Sequence, residues 1–290
     1  MSGRRLALIG AGGMLGSMVA RSAPAGWEVL ALQRPEFDLT DREQVDRVLD
    51  RLAPEVIINC AAFTQVDACE TQEALATRIN GDGPGYLAQA AKRLGAVLVH
   101  ITTDYVFDGT KTEPYREDDP TNPLSAYGRS KRAGELAILK SGLEQYFIIR
   151  TSWLFGPDGK NFVETILRLA QEREELRVVA DQVGSPTYTA DLAAAIFRLL
   201  ATQEYGIYHV SNQGACSWHE FAGEIVARFT QLSGQVKIKN IVPIATLEYP
   251  LPAKRPGYSL LSKHKYEATV GAGLPPWQDA LQRYLAGRKH

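Results

Sequence analysis

Tyr127 and Lys131 lie four residues apart in the segment SAYGRSKRAGE, which spans residues 125–135. Residues at that spacing share one face of a helix. A free tyrosine has a pKa near ~10, too high for easy proton exchange at neutral pH, and a neighbouring ammonium group favours the phenolate and lowers that pKa. The pair is therefore a candidate for proton transfer, although the surface of an ordinary amphipathic helix produces the same spacing.

A second set of polar side chains follows an apolar run. The segment HITTDYVFDG begins in a predicted strand and places Thr103, Asp104 and Tyr105 at its carboxyl end. Ligands of open α/β sheets bind at that end of the strands. A hydroxyl from Thr103 would hold a substrate carbonyl next to the phenol of Tyr127. Thr103, Tyr127 and Lys131 are thus the catalytic candidates of a proton-delivery site for carbonyl reduction.

A glycine-rich turn indicates where a hydride carrier would bind. The segment LIGAGGMLGSM places Gly10, Gly13 and Gly16 directly after the first predicted strand and at the start of the first helix. Glycine permits a tight turn and close approach of the backbone to a pyrophosphate, to which the helix N-terminus offers N–H groups. The spacing is GxxGxxG instead of the GxGxxG of simple dinucleotide dehydrogenases, so a merely flexible turn is the alternative.

The second predicted strand ends at Gln33 and Arg34. NAD sites usually place an acidic residue here to hold the ribose 2′-hydroxyl, whereas an arginine accommodates the 2′-phosphate of NADP. The missing acid and the guanidinium group favour NADP(H), with NAD(H) still allowed. The alternative is that Arg34 is a solvated loop charge.

Short apolar runs alternate with helical patterns through the first half of the chain. The runs RLALIG, WEVLALQ, EVIINCAA, AVLVHITT and YFIIRTSW are mostly continuous, as a parallel sheet covered on both faces requires. They predict an α/β fold, a Rossmann-type doubly wound parallel sheet with a smaller C-terminal substrate lobe. We expect residues 1–155 to form the dinucleotide domain, with sheet elements also contributed by about 175–215, and residues 156–290 to form most of the interleaved lobe.

The helical patterns predict helices over 14–22, 41–52, 70–93 and 127–140, and later over 161–172 and 189–202. Two helix starts carry the signature of a capping box, in which a Ser or Thr and a Glu three positions later satisfy each other's backbone N–H groups. These pairs are Thr40 with Glu43 and Ser217 with Glu220.

Composition argues against several classes of function. The chain has 290 residues, 45% of them hydrophobic and 22% charged, with a net charge of −1. That balance is typical of a globular protein and gives no electrostatic basis for binding nucleic acid or an anionic membrane. His219 lacks the second histidine of a zinc motif, and no metal site is predicted.

Location is inferred from cysteines and apolar runs. The three cysteines fit a reduced cytosol better than a disulfide framework. The N-terminus has the basic start and apolar stretch of a signal peptide, but regularly placed glycines and Arg21 interrupt it. No apolar run reaches the ~20 residues of a membrane span. We therefore expect a cytoplasmic protein.

Motifs along nearly the whole chain are similar to those of one protein family. They are LIGAGGMLG, DLTD, NCAAFTQVDACE, ITTDYVFDG, YGRSKRAGE, RTSWLFG, DQVGSPTYTADLA and RPGYSLL. These motifs resemble those of the extended short-chain dehydrogenase/reductases, and most closely the dTDP-4-dehydrorhamnose reductases. The resemblance implies a Rossmann fold that binds NAD(P) and a lobe that binds a nucleotide sugar. The implied activity is reduction of dTDP-4-dehydro-L-rhamnose to dTDP-L-rhamnose, a precursor of bacterial surface polysaccharides.

The resemblance also implies roles for individual residues. Tyr127 would donate the proton to the sugar C4 oxygen, Lys131 would hold the nicotinamide ribose, and Thr103 would hydrogen-bond the keto oxygen. Deoxysugar contacts match Asp104, Tyr105 and Trp153. Cofactor contacts match Gly10, Ala11, Gly12, Gly13, Met14, Leu15, Gly16, Asp38, Leu39, Ala62, Phe63 and Thr64, together with Tyr127 and Lys131. Phe63 stands where the family often has histidine, and Thr102 where it often has serine. Some members are dimers bridged by Mg²⁺, so the resemblance allows a homodimer and Mg²⁺, for which no ligands are assigned.

Four residues are further candidates for contacts to substrate or cofactor, and three of them have an alternative interpretation. Gln182, in the bent loop DQVGSPT, is a substrate candidate. Arg255 is a candidate for the nucleotide diphosphate, since guanidinium pairs with phosphate bidentately, and its alternative is a solvated loop arginine. Trp153 would otherwise be a core aromatic. Asn80 precedes glycines, which is typical of a turn, although it would also suit the nicotinamide side of the cofactor.

Two other functions stay open at this point. A eukaryotic regulatory subunit of methionine adenosyltransferase resembles this family, so the motifs are compatible with a non-catalytic partner. A nucleotide-sugar epimerase or dehydratase of the same superfamily would keep NAD tightly bound and recycle it. The chain length and the pair Gln33 and Arg34 favour the reductase.

Overall fold

A parallel sheet forms the centre of the molecule in the computed structural model, which describes residues 3–233 and 236–288. Its strands are β1 (Arg4–Ile9), β2 (Trp27–Leu32), β3 (Val56–Asn59), β4 (Val97–Thr103), β5 (Tyr146–Thr151) and β10 (Gly206–His209). Their order across the sheet is β2-β1-β3-β4-β5-β10, and every neighbouring pair runs parallel. The predicted Rossmann-type α/β fold is confirmed.

Helices cover both faces of this sheet. One face packs against α1 (Met14–Ser22), α8 (Thr189–Thr202) and α10 (His264–Val270), and the other against α2 (Arg42–Leu52), α5 (Gly83–Leu94) and α6 (Ala126–Lys140). In β1, Leu6 and Leu8 enter the first core while Ala7 and Ile9 enter the second. Burial on both faces is why the strand sequences read as continuous apolar runs. Among the helices that the structure describes, none is long and apolar enough to cross a membrane.

The start of α2 differs from its predicted capping box. The N-cap is Asp41, whose carboxylate accepts the backbone N–H of Gln44 at 3.0 Å. The hydroxyl of Thr40 donates instead to Asp38 at 2.9 Å. Thr40 is therefore the wrong cap, because its side chain is already engaged in the preceding turn.

The single helix predicted over 70–93 is also wrong. That region forms α3 (Val66–Thr71), α4 (Glu73–Thr77), a π-helical turn at Arg78–Asp82, and then α5. Pro84 lies in the first turn of α5 and has no N–H to donate to the preceding turn. The wider π-helical turn carries the chain into that proline.

A smaller C-terminal lobe has its own core. Its elements are β6 (Leu154–Phe155), α7 (Phe162–Glu172), β7 (Glu175–Val179), β8 (Val183–Gly184), β9 (Thr187–Tyr188), β11 (Cys216–Ser217), α9 (Trp218–Ser233), β12 (Asn240–Ile244) and α11 (Trp277–Gly287). The lobe core includes Phe155, Phe221 and Trp277. The capping box at α9 is confirmed, since Ser217 and Glu220 exchange hydrogen bonds through their side chains and backbone N–H groups.

The region 175–215 divides between the sheet and the lobe. Gly206–His209 pairs with β5 and extends the main sheet. The strand β7 pairs instead with β12, and its Leu176 and Val178 belong to the lobe core. The polypeptide therefore passes back through the main sheet after the lobe has begun.

Candidate active site

The first turn of α6 lies directly against the end of β4. Ser125 caps this helix, and its hydroxyl accepts the backbone N–H of Gly128 at 3.2 Å. A Cβ on Gly128 would collide with the carbonyl oxygen of Tyr105. Glycine therefore allows the close approach that brings Tyr127 beside the residues following β4.

The phenol of Tyr127 meets the predicted partner Thr103. The Thr103 hydroxyl lies close enough to the phenol to lower its pKa, and the Tyr127 ring packs edge-on against Tyr105 with centroids 5.8 Å apart. Burial is the main influence on the Tyr127 pKa and raises it, the neighbouring Thr103 hydroxyl lowers it, and the nearby Asp104 raises it further. The expectation that Lys131 lowers this pKa is wrong, because burial raises the pKa and the group that opposes the increase is Thr103 and not Lys131. Tyr127 consequently keeps its proton at neutral pH, as a proton donor must.

Lys131 is buried one helical turn after Tyr127. Its ammonium group donates to the carbonyl oxygen of Ile101 at 2.7 Å, on the strand that ends at Thr103. Burial lowers the pKa of Lys131 to about 8, while the charges of Glu135 and Cys60 oppose that decrease. Lys131 thus fastens α6 to β4 and carries a positive charge at neutral pH.

Asn80 is not in the turn that its sequence predicts. It lies in the π-helical turn and is buried. Its side chain accepts the N–H of Phe63 at 2.8 Å and donates to the Phe63 carbonyl and the Ser130 hydroxyl, both at 3.0 Å. The glycines that follow Asn80 are accommodated within helix, so the turn interpretation fails. Asn80 instead ties the segment after β3 to α6.

A cavity of about 430 Å³ lies beside the glycine turn, at the carboxyl ends of β1, β2 and β3. Predicted cofactor residues in its lining are Gly10, Gly12, Gly13, Arg34, Asp38, Leu39, Ala62 and Phe63. Gly10 has φ of +76°, and a Cβ there would lie 2.7 Å from the backbone nitrogen of Ala61. The turn thus needs glycine and leaves backbone open to a ligand, which fits a dinucleotide pyrophosphate.

The other predicted cofactor residues lie outside this lining; they are Ala11, Met14, Leu15, Gly16, Thr64, Tyr127 and Lys131. Ala11 and Leu15 belong to the core beneath α1, so what they offer a phosphate is backbone N–H. A Cβ on Gly16 would collide with the carbonyl oxygen of Gly10, so Gly16 lets α1 begin close to the turn. Thr64 is exposed.

Two polar residues at this cavity differ in their local partners. The carboxylate of Asp38 accepts both the N–H and the hydroxyl of Thr40, at 2.8 and 2.9 Å, and these bonds lower the pKa of Asp38. Arg34 lies nearby, is exposed, and lines the cavity. Its guanidinium group is therefore accessible to an anionic ligand.

A larger cavity of about 670 Å³ lies in the C-terminal lobe, between α7, β7 and the segment 246–255. Apolar side chains such as Ile166, Leu176 and Val178 form much of its wall. The predicted substrate residues Gln182 and Arg255 also line it. Gln182 is buried and donates to the Thr246 hydroxyl at 3.0 Å, which leaves its side-chain carbonyl as an acceptor.

Arg255 joins the lobe to the main domain. Its guanidinium group forms two parallel hydrogen bonds to Asp67 on α3, at 3.0 and 2.8 Å. It is therefore not the solvated loop arginine of the alternative interpretation. Sequence reasoning missed Asp67, although it lies in the motif NCAAFTQVDACE. A phosphate bound here would share the guanidinium group with that carboxylate.

Trp153 follows β5 of the main sheet and packs against the core of the C-terminal lobe. Its ring stacks on that of Trp218 at a centroid distance of 3.5 Å, and a Cβ on Gly184 would lie 2.7 Å from it. Trp218 itself lines the lobe cavity. Sequence reasoning missed Trp218, because the first residue of a helix gives no signal of a partner in the segment between β5 and β6.

Asp104 and Tyr105, predicted to hold a deoxysugar, lie between Thr103 and the lobe. Asp104 is buried and accepts hydrogen bonds from Thr103 at 3.0 Å and from Ser259 at 2.6 Å. Burial raises the pKa of Asp104 to about 6, against the lowering effect of these bonds. Burial raises the pKa of Tyr105, and the nearby positive charge of Arg255 opposes that increase. Ser259 was missed, although it lies in the motif RPGYSLL.

Comparisons with known proteins decide the family. A family model described as RmlD substrate binding domain matches residues 4–289. The dTDP-4-dehydrorhamnose reductase of Burkholderia thailandensis is 43% identical over 288 residues, covering 96% of each chain. The chain belongs to the dTDP-4-dehydrorhamnose reductase family.

Two further relatives of this reductase family member span its whole length. The spore coat polysaccharide biosynthesis protein SpsK of Bacillus subtilis is 46% identical over 287 residues, covering 98% of each chain. The crystal structure of the dTDP-4-dehydrorhamnose reductase of Bacillus anthracis in complex with NADP has a TM-score of 0.93 and 40% identity. That comparison covers 99% of this chain and 100% of the other.

The reductase family resemblance allowed Mg²⁺ without ligands. In residues 3–233 and 236–288, no group of three or more His, Cys, Asp or Glu side chains is arranged to hold a metal ion. Mg²⁺ ligands therefore stay unassigned within one chain of this reductase.

Proposed function

We propose that the protein catalyses the NADPH-dependent reduction of the C4 keto group of dTDP-4-dehydro-L-rhamnose to give dTDP-L-rhamnose. The observation that carries this proposal is the meeting of Tyr127, Thr103 and Lys131 at the carboxyl edge of the sheet, where the glycine-lined cavity also lies. The names of relatives that match the chain over its full length support the same reaction.

The cofactor would occupy the cavity beside the glycine turn. When bound, NADPH supplies the hydride that reduces C4. The backbone at Gly10, Gly12 and Gly13 would hold the pyrophosphate, Arg34 the 2′-phosphate, and Lys131 the nicotinamide ribose. The NADP bound to the Bacillus anthracis relative supports this choice. NADH is the second choice, since the residues at the end of β2 include no acid to hold a 2′-hydroxyl.

Tyr127 is assigned as the proton donor. A hydride on C4 and a proton on the C4 oxygen together convert the keto group to an alcohol, and the proton comes from the Tyr127 hydroxyl. The phenolate left on Tyr127 is stabilised by the Thr103 hydroxyl. Solvent then returns a proton to Tyr127, so the protein regains its starting state.

The lobe would hold the nucleotide. Apolar walls such as Ile166 and Val178 suit the base, and Gln182 offers it a hydrogen-bonding amide. Arg255 would pair with the diphosphate. The deoxysugar would then lie near Asp104, Tyr105 and Trp153.

We assign residues 1–155 to the dinucleotide domain, together with Gly206–His209, which joins its sheet. Residues 156–290 would form most of the nucleotide-sugar lobe. A cytoplasmic location follows from the three cysteines, which stay reduced there. A homodimer is compatible with the proposal.

A substrate panel tests the reaction. Purified protein would be mixed with dTDP- and UDP-linked 4-keto sugars and either NADPH or NADH, and the absorbance of the reduced cofactor followed. We expect NADPH to be consumed with dTDP-4-dehydro-L-rhamnose. No consumption with a verified substrate would contradict the proposal, and release of bound NAD(H) from freshly denatured protein would favour an epimerase or dehydratase.

A further inference from the structure

A buried chain of hydrogen bonds links the C-terminal lobe to the catalytic hydroxyls. Ser259 donates to one carboxylate oxygen of Asp104 at 2.6 Å, and Thr103 donates to the other at 3.0 Å. Ser259 and Asp104 are each 2% exposed and Thr103 is 6% exposed. The lobe thus reaches the catalytic threonine through one carboxylate.

The direction of these bonds follows from proton counting. An ionised carboxylate only accepts, so Ser259 and Thr103 each commit their single hydroxyl proton to Asp104. The Thr103 oxygen is left as an acceptor, and it accepts the backbone N–H of Tyr105 at 3.2 Å. Toward the neighbouring Tyr127, Thr103 can therefore act only as an acceptor, and the phenol as the donor. Asp104 thus fixes the direction of the Tyr127 proton before substrate binds.

Carbonyl reduction requires Thr103 to act as a hydrogen-bond donor to the reacting oxygens, the reverse of its role toward Tyr127 before substrate binds. A keto oxygen accepts only, and Tyr127 becomes an anion once it has given up its proton. Thr103 can serve either oxygen as a donor only by turning its proton away from Asp104. A buried carboxylate that loses an accepted hydrogen bond is destabilised. The hydroxyl of Ser259 and the backbone N–H groups beside Asp104 are the donors that remain to it.

We propose that Ser259 is a positioning residue of the reaction, whose hydroxyl holds the Asp104 carboxylate in place while Thr103 turns its proton to the reacting oxygen. The inference rests on the proposed function, because the turn of Thr103 is needed only when a carbonyl is reduced. Ser259 itself touches neither the substrate carbonyl nor Tyr127 in this scheme.

Steady-state kinetics test this role with three variants and a control. Ser259→Ala removes the hydroxyl, Ser259→Cys keeps its size with a weak donor, and Ser259→Thr keeps the donor. Loss of a hydrogen bond to a charged group predicts a decrease in kcat of about tenfold or more for Ala and Cys. We expect the KM for NADPH to stay unchanged and Ser259→Thr to recover most of the rate. The control Ser262→Ala should match the wild type, since the Ser262 contact to Tyr115 is made by its backbone.

Two kinetic results would overturn the proposal. One is a folded Ser259→Ala protein with wild-type kcat. The other is equal impairment of Ser259→Thr and Ser259→Ala, which would show that shape and not the hydroxyl matters.

Urea unfolding tests the Ser259–Asp104 bond without substrate. The pKa of Asp104 is raised to about 6, so its carboxylate is ionised at pH 8 and mostly protonated at pH 5. Charged and titratable neighbours are Tyr105 and Tyr127, which stay neutral over this range, and the ion pair of Arg255 with Asp67. Ser259→Ala should therefore lose more stability, relative to the wild type, at pH 8 than at pH 5.

The unfolding result distinguishes a failure of the role assigned to Ser259 from a failure of the proposed reaction. An equal loss at both pH values would overturn the role assigned to Ser259. A larger loss at pH 8, together with no turnover by the wild type, would instead count against the proposed reaction while the bond itself stands.

Discussion

The ammonium group of Lys131 donates a 2.7 Å hydrogen bond to the carbonyl oxygen of Ile101. Ile101 lies two residues before Thr103 on β4, and Lys131 lies one turn after Tyr127 on α6. The bond therefore fixes the helix that carries Tyr127, the proposed proton donor, to the strand that carries Thr103. Burial of Lys131 also lowers the pKa of its ammonium group to about 8.

Replacing Lys131 by Met removes both the anchor and the charge. We expect kcat/KM to fall about a hundredfold or more, because the anchor of α6 and a charged hydrogen bond to the nicotinamide ribose are both lost. In the wild type, activity should decrease as the pH rises through about 8, because Lys131 loses its proton there, and the variant should lack this decrease. The exposed Lys140 on the same helix provides the control Lys140→Met. An activity of Lys131→Met within twofold of the control would contradict the assignment.

The guanidinium group of Arg34 is expected to distinguish the two cofactors. Arg34→Ala should raise the KM for NADPH about ten- to a hundredfold, the worth of a hydrogen bond to a charged group, and leave the KM for NADH nearly unchanged. Arg42→Ala removes another exposed arginine, at the start of α2, and should alter neither constant. Equal effects of Arg34→Ala on NADPH and NADH would show that Arg34 does not recognise the 2′-phosphate.

Variants of the ion pair between Arg255 and Asp67 distinguish a role of Arg255 in substrate binding from a role in holding the lobe to α3. Arg255→Gln should raise the KM for the nucleotide sugar about tenfold or more, since a charged hydrogen bond is lost, and leave the KM for NADPH unchanged. Asp67→Asn removes the carboxylate but keeps the guanidinium group, so nucleotide-sugar affinity should be retained or increased. If both variants weaken substrate binding equally, the pair serves only to hold the lobe to α3.

The buried pair of Glu135 and Arg150 should dominate the stability of α6 on the sheet. Arg150 donates two hydrogen bonds to Glu135, at 3.0 and 2.8 Å, and both side chains are almost fully buried. Glu135→Gln should reduce the free energy of unfolding by about 3–5 kcal/mol, because the Arg150 charge is left without its partner.

The exposed pair of Arg168 and Glu172 is the matched control for this measurement. Glu172→Gln should cost at most about 1 kcal/mol in urea unfolding, since solvent screens an exposed pair. A similarly small loss for Glu135→Gln would contradict the account of a buried, charge-paired anchor.

Local patterns predicted most of the elements and the proximity of Thr103, Tyr127 and Lys131, the candidate catalytic residues. Continuous apolar runs identify the parallel strands because burial on both faces selects for them. The glycine turn, the Ser217–Glu220 capping box and the helix of Tyr127 are all determined within a few residues of sequence. Thr40 failed as a cap because the neighbouring Asp38 takes its hydroxyl.

Contacts between distant segments had no signal in the sequence. Ser259 lies 155 residues from Asp104, and Arg255 lies 188 residues from Asp67. The direction of the Tyr127 pKa also depends on burial, which only the assembled fold supplies. Sequence spacing placed the lysine near the phenol but gave no measure of how much water the fold removes from both.

Tyr127→Phe tests the central claim most directly, because it removes the donated proton and keeps the ring. With NADPH and dTDP-4-dehydro-L-rhamnose, kcat should fall about a hundred- to ten-thousandfold, the usual contribution of a general acid. NADPH affinity, measured by quenching of tryptophan fluorescence, should stay within about twofold of the wild type, since the variant keeps the ring and removes only the hydroxyl. A Tyr127→Phe protein that binds NADPH normally and turns over at the wild-type rate would contradict the mechanism.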